Sequence, residues 1–169
     1  MAKSAVVPGV IEMLKDDHDK VKALFEEFEA ADDREKGEIA KTAIQDLEVH
    51  AELEEKLIYP AIRAEIDEDD KMNEAVEEHH LVHILIAELK KLKASDDKFQ
   101  AKFTVLGELV KHHIEEEEGE MLPQAEKGNI DWDELEIRVM KRREQLMTKK
   151  ESSSSKGTGR SAATKKSGR

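Results

Sequence analysis

The sequence predicts an all-α fold: an up-down-up-down four-helix bundle with a short C-terminal fifth helix. Three observations predict it. Four successive stretches repeat apolar residues at three- and four-residue spacing, the period of one helical face. Glycine and proline number only 8 and 3 in 169 residues, too few for the turns of a β-sandwich. Charged residues make up 40% and aromatic residues 4%, a profile of long solvated helices around an aliphatic core.

The first helix carries Ile11, Leu14, His18, Val21, Phe25 and Phe28 on one face and ends near Ala31. Phe25 and Phe28 belong to the core, near enough to the histidine to line a pocket beside it. A break at Asp32-Asp33 leads to the second helix, whose face holds Leu47, His50, Glu54, Leu57 and Ala61 and which ends near Tyr59-Pro60. After a break near Asp67–Asp70, the third face holds His79, Val82, Ile86 and Leu89. Ser95, followed by Asp96 and Asp97, predicts an N-cap with acid in the first turn of the fourth helix. That helix presents Phe103, Leu106, Val110, His113 and Glu117. Gly128-Asn129 breaks the chain again. Asp131 then caps a fifth helix, anchored by Trp132 and running to about Lys149. Four long helices with short connections pack antiparallel.

The main domain therefore spans residues 8–150. The end, 151–169, is rich in Ser, Gly and Lys without apolar periodicity, and predicts a disordered basic tail. From Lys141 onward ten Lys and Arg face only Glu144 and Glu151, so the last 29 residues are net +8 and the rest net −20 of the overall −12. The acidic body has no electrostatic reason to bind nucleic acid; the tail is the one segment suited to it. Cysteine is absent, which excludes disulfides, thiolate metal sites and a cysteine nucleophile. The short apolar patch before Pro8 is not a secretory signal, and no apolar run reaches the length of a membrane span. The expectation is a cytoplasmic protein without a membrane partner.

Every apolar stripe contains a histidine. At about 1.5 Å per residue, His18, His50, His79 and His113 lie at one level of an up-down bundle, within roughly a turn. His50 and Glu54, His79 and His83, and His113 and Glu117 are i,i+4 pairs, neighbours on one helical face. The inward set is His18, His50, Glu54, His79, His83, His113 and Glu117. His80 and His112 turn to other faces. Buried carboxylates and imidazoles are costly to desolvate without a cation, and they are the donors that divalent first-row metals take. Seven ligands exceed the four that one zinc ion takes and suit two iron or manganese ions bridged by the carboxylates.

Competing motifs fail. Only Glu77-x-x-His80 fits the Glu-x-x-His pattern that ferritin-like bundles need twice. Met72 occupies the glycine position of a loose EF-hand match, and His-Glu-x-x-His is absent.

The stretches DHDKVKALFEEFE (17–29), HAELEEKLIYPAI (50–62), EHHLVHILIAEL (78–89) and HHIEEEEGEMLP (112–123) resemble a bacterial hemerythrin-like (HHE cation-binding) domain. The resemblance implies a non-haem, oxo- or hydroxo-bridged di-iron centre, with manganese or zinc as lesser alternatives. It assigns His79, His83 and His113 to one iron, and His18 and His50 to the other, which keeps an open position. Glu54 and Glu117 would bridge, and because members of the family differ in the spacing of the last carboxylate, the resemblance leaves Glu118 as an alternative to Glu117. The implied function is binding of dioxygen, or of nitric oxide or peroxide, for storage, sensing or detoxification. Alternatives are a scavenging enzyme using the same centre and an iron- or oxygen-responsive regulatory module whose basic tail contacts nucleic acid.

Overall fold

The computed structural model describes residues 7–66 and 69–155, and these are helical with no strand among them. Helix α1 (Gly9–Ala30) packs along α2 (Asp33–Leu53), and α4 (Asp69–Leu89) packs along α5 (Asp97–Glu116). The helix of α2 does not stop at Pro60. It runs through a π-helical turn, Glu54–Ile58, into α3 (Tyr59–Arg63). Helix α5 does the same through Glu117–Met121 into α6 (Leu122–Ala125).

Proline explains both π turns. It has no N–H to donate, and its ring crowds the carbonyl four residues back. Pro60 and Pro123 therefore each sit in the first turn of a restarted α-helix, where no N–H is needed. Just before each, the wider turn is closed by the N–H of Tyr59 to the Glu54 carbonyl and of Leu122 to the Glu117 carbonyl. Such bulges recur at functional sites.

The break after α1 is a capping box: Asp32 accepts from the N–H groups of Arg34 and Glu35, and Glu35 accepts from that of Asp32. The cap of α5 falls one residue beyond the expected Ser95. Asp96 is the flanking residue, and its side chain instead accepts from the Lys93 N–H, closing the preceding turn.

The fifth helix is not short. Helix α7 (Trp132–Ser155) has 24 residues, the longest α-helical segment among the described residues, and takes in the start of the expected tail. Asp131 caps it through the Glu134 N–H at 3.0 Å, and Trp132 packs on the core. Its basic residues hold it to the acidic body: Arg142 pairs with Glu52, Arg143 with Asp17, and Lys150 with the Gln45 carbonyl and Glu48. The rest of the expected tail, 156–169, lies outside the described residues. No helix of the described residues is long and apolar enough to cross a membrane.

The core has two parts. One joins Ile11, Leu14, Leu53, Ile62, Met72 and Leu122. The other joins Val21, Phe25, Phe28, Leu47, Val82, Phe103 and Val110. Gly107 lets α5 approach α1 closely, since a Cβ there would stand 3.0 Å from the Phe25 ring. The expected histidines lie between these parts: His18 between Leu14 and Val21, His50 between Leu47 and Leu53, His79 between Ala75 and Val82, His113 between Val110 and Met121.

Candidate metal centre

Six of the seven expected residues meet in this layer. His18, His50, Glu54 and Glu117 hold ligand-type atoms within 4.8 Å of one another, and so do Glu54, His79 and His113. All six are buried, and both glutamates are 0% exposed.

The arrangement is two similar halves. On one side His18 Nε2 and His50 Nε2 are 3.2 Å apart with ring centroids at 4.9 Å. On the other, His79 Nε2 and His113 Nε2 are also 3.2 Å apart, with centroids at 4.8 Å. Two imidazole nitrogens bound to one ion at about 2.1 Å would stand about 3.0 to 3.4 Å apart, at octahedral or tetrahedral angles. Glu54 faces both sides, its Oε1 3.1 Å from His50 Nε2 and its Oε2 3.1 Å from His79 Nε2. Glu117 Oε2 lies 3.2 Å from His18 Nε2 and 3.9 Å from His113 Nε2.

Carboxylates outside the cluster orient the rings. Nδ1 of His50 donates to Asp17 at 3.3 Å, and Nδ1 of His113 to Glu78 at 2.6 Å. Nδ1 of His18 donates to Glu118 at 2.7 Å, and Nδ1 of His79 to Glu55 at 3.0 Å. An ionised carboxylate only accepts, so in each neutral imidazole the hydrogen sits on Nδ1 and the Nε2 lone pair points inward. Metal-binding histidines are held in this way. The exchange is reciprocal: Asp17 and Glu78 each precede an inward histidine, and Glu55 and Glu118 each follow an inward glutamate. Of the two candidate carboxylates on the fourth helix, Glu117 faces the cluster and Glu118 holds His18 from outside.

The donor set is poorly satisfied by itself. Glu54 Oε1 and both oxygens of Glu117 are buried without a hydrogen bond. Buried polar atoms cost stability unless partnered, and four imidazole lone pairs converging on them make a set that fits two cations.

Residues 9–125 match the family model of the hemerythrin HHE cation binding domain. The chain belongs to this family. It is a metal-binding protein of hemerythrin-like fold. A crystal structure of a hemerythrin HHE cation binding domain-containing protein from Mycobacterium kansasii superposes with a TM-score of 0.66 over 88% of this chain and 92% of that one, at 22% identity. A protein from Nostoc sp. (strain PCC 7120), named as a DNA nickase, is 29% identical over 133 residues. That alignment takes in 76% of this chain but 36% of the Nostoc protein, so the chain spans about a third of its length.

Within the HHE cluster His83 has no place. Its side chain is 44% exposed and its Nε2 donates to Glu55 at 2.8 Å. Val82 and Ile86 take the inward line of α4, which leaves His83 at the helix edge. His80 and His112 are exposed, as expected. The hydroxyl of Tyr59 stands inside instead, 3.1 Å from His113 Nε2, 3.3 Å from His79 Nε2 and 3.4 Å from Glu54 Oε2. An unbroken α-helix would turn Tyr59 about 140° away from Glu54; the π turn brings it back. The two H-x-x-x-E stretches, each ending in proline, were the signal for this. Both need the same bulge.

The electrostatics follow from the carboxylates. Burial disfavours the His50 cation, but Glu54 and Asp17 outweigh it and raise its pKa to about 10. Burial opposes the His79 cation too, and Glu54 and Glu55 raise it to about 9. The hydrogen bond from His79, and then that from His83, hold Glu55 at about 2 against burial. Burial, then the charges of Glu117 and Glu54, push the Tyr59 phenol well above its ordinary value.

A cavity of about 30 Å³ adjoins the four imidazoles. Val21, Leu47, Ala51, Val82, Val110 and Ile114 give it a largely aliphatic wall, and Asp17 and Asp46 also border it. Phe25 and Phe28 are not part of it; they pack farther along the bundle against Phe99 and Phe103.

Proposed function

We propose that this protein holds a dinuclear non-haem iron centre and binds dioxygen, or a related small ligand such as nitric oxide or peroxide, beside it. The observation that carries the reading is the mirrored pair of imidazole couples around Glu54 and Glu117, whose buried oxygens lack partners. His18 and His50 would hold one ion, His79 and His113 the other, with Glu54 and Glu117 between them. A nitrogen- and oxygen-rich set without sulfur suits iron or manganese.

When bound, a di-iron pair supplies reversible two-electron chemistry toward dioxygen and peroxide. The residues of the chain do the rest. Asp17, Glu55, Glu78 and Glu118 hold the Nδ1 hydrogens and so fix the rings. The Tyr59 hydroxyl adds an oxygen donor on the His79–His113 side only. The cavity adjoins both imidazole couples. The aliphatic wall admits a small neutral molecule and disfavours ordered water, which needs polar partners. Separate substrate-binding or nucleophilic groups are not part of this reading, which favours storage, sensing or detoxification.

A nucleic-acid role through the basic C-terminal segment has less support. Arg142, Arg143 and Lys150 are turned to the carboxylates and carbonyls of the bundle itself.

The test is metal analysis and optical spectroscopy on protein from iron-replete cells, before and after anaerobic reduction and exposure to air. About two irons per chain, consistent with the two clusters, and a spectrum that bleaches on reduction and returns with oxygen support the reading. A single zinc, or no metal, overturns it. Sustained peroxide turnover, lost in His18→Ala, would assign detoxification rather than storage.

A further inference from the structure

A second group of ligand-type side chains lies outside the centre, between α4 and α5. Glu78, His112 and Glu116 hold such atoms within 4.8 Å of one another. His112 Nε2 is 3.6 Å from Glu78 Oε1 and 3.9 Å from Glu116 Oε1, and its side chain is 59% exposed. These separations are too long for hydrogen bonds. One imidazole and two carboxylates are a donor set for a divalent first-row ion. A cation already stands at the rim: Lys71 Nζ lies 3.4 Å from Glu116, 3.5 Å from Glu120 and 3.6 Å from Glu74.

What separates this group from an ordinary acidic surface is the small cavity behind it. Lys71, Glu78, Glu116 and Glu120 line it, together with His113 and Glu117 of the inner centre. Glu117 is wholly buried and neither of its oxygens has a hydrogen-bond partner. Glu78 connects the two levels, since its Oε2 accepts from His113 Nδ1 while its Oε1 faces His112. Carboxylates placed one behind another in a low-dielectric wall draw cations inward. The cavity beside the four imidazoles has carboxylates as well, Asp17 and Asp46, but each is paired with a cation, Arg143 and Lys20. The cavity behind Glu78 and Glu116 is the one that leads to a buried carboxylate without hydrogen bonds, Glu117.

We propose that Glu78, His112 and Glu116 form an outer divalent-cation site, from which metal passes along this cavity to Glu117, with Lys71 competing at its rim. The proposal rests on the reading of the inner cluster as a metal centre.

The test uses the full, iron-loaded chain, so that the inner ligands are taken, with Mn²⁺ as the probe followed by electron paramagnetic resonance. The expected result is one additional Mn²⁺ per chain, weakened about tenfold or more in His112→Ala and in Glu116→Gln and strengthened in Lys71→Ala. Extraction of iron by a chelator should slow in His112→Ala and Glu116→Gln while their final iron content stays that of the wild type. No additional Mn²⁺ in the wild type, or a site indifferent to these substitutions, would overturn the proposal. Iron content measured first on each sample separates the two ideas. A chain that takes up no iron counts against the inner centre, and Mn²⁺ titration of the same sample, with His112→Ala as control, still decides the outer site.

Discussion

Tyr59 and Leu122 occupy matching places in two copies of one motif, each directly before a proline and one residue past a π turn. Only Tyr59 brings an oxygen to the cluster, 3.1 Å from His113 Nε2. This one difference makes the two halves of the centre chemically unequal.

Tyr59→Phe therefore tests the inequality. The ring still packs, so the fold should persist. Removing the hydroxyl should weaken retention of the ion on the His79–His113 side by about tenfold, and any phenolate-to-iron absorption of the loaded protein should vanish. Competition with a chelator and the visible spectrum would check both; an unchanged spectrum with unchanged retention would remove Tyr59 from the donor set.

His83→Ala should leave the iron content as in the wild type, because this side chain is exposed and bonded to Glu55 rather than to the cluster. His79→Ala should lose metal from its half. Parallel metal analysis of the two variants distinguishes a four-imidazole centre from the five-imidazole one that the sequence suggests.

Loading should depend steeply on pH. In the metal-free chain His50 and His79 hold protons up to about 10 and about 9, and an imidazole must be neutral to bind metal. Between pH 7 and 9 the overall loading constant should rise by about two powers of ten per pH unit, with about two protons released per chain at pH 7. The sign for folding is opposite. Both values lie above the unfolded 6.5, so the stability that these cations contribute is complete below pH 6.5 and is lost as pH rises through 9 to 10. Proton release can be read by calorimetry in buffers of different ionisation enthalpy. Denaturation of the metal-free chain at pH 7 and pH 10 checks the second sign.

Arg143→Gln should act at a distance. Arg143 holds both oxygens of Asp17, at 2.6 and 2.8 Å, and Asp17 accepts from His50 Nδ1. Loss of this partly buried pair should cost about 1 kcal/mol of stability and loosen the His18–His50 ion more than its neighbour. Chelator extraction should become biphasic in the variant, whereas Arg138→Gln, at an exposed position of the same helix, should leave it unchanged.

The helices, their order and the common level of His18, His50, His79 and His113 were legible in the sequence alone. They follow from helical period and rise, which are local properties of the backbone. The same arithmetic placed Glu54 and Glu117 on the inward faces, and the four motif stretches pointed to the family. Three features needed the tertiary structure. Helix α7 proved long because its apolar face and its arginines find partners on the body, which no local pattern reports. His83 lies outside because Val82 and Ile86 compete with it for the same inward line. Tyr59 lies inside because the π turn before it adds a residue, and a count at 100° per residue fails beyond such a turn. Periodicity places a side chain on a face; only the packing of neighbouring helices decides how far that face turns inward, and so which donors meet.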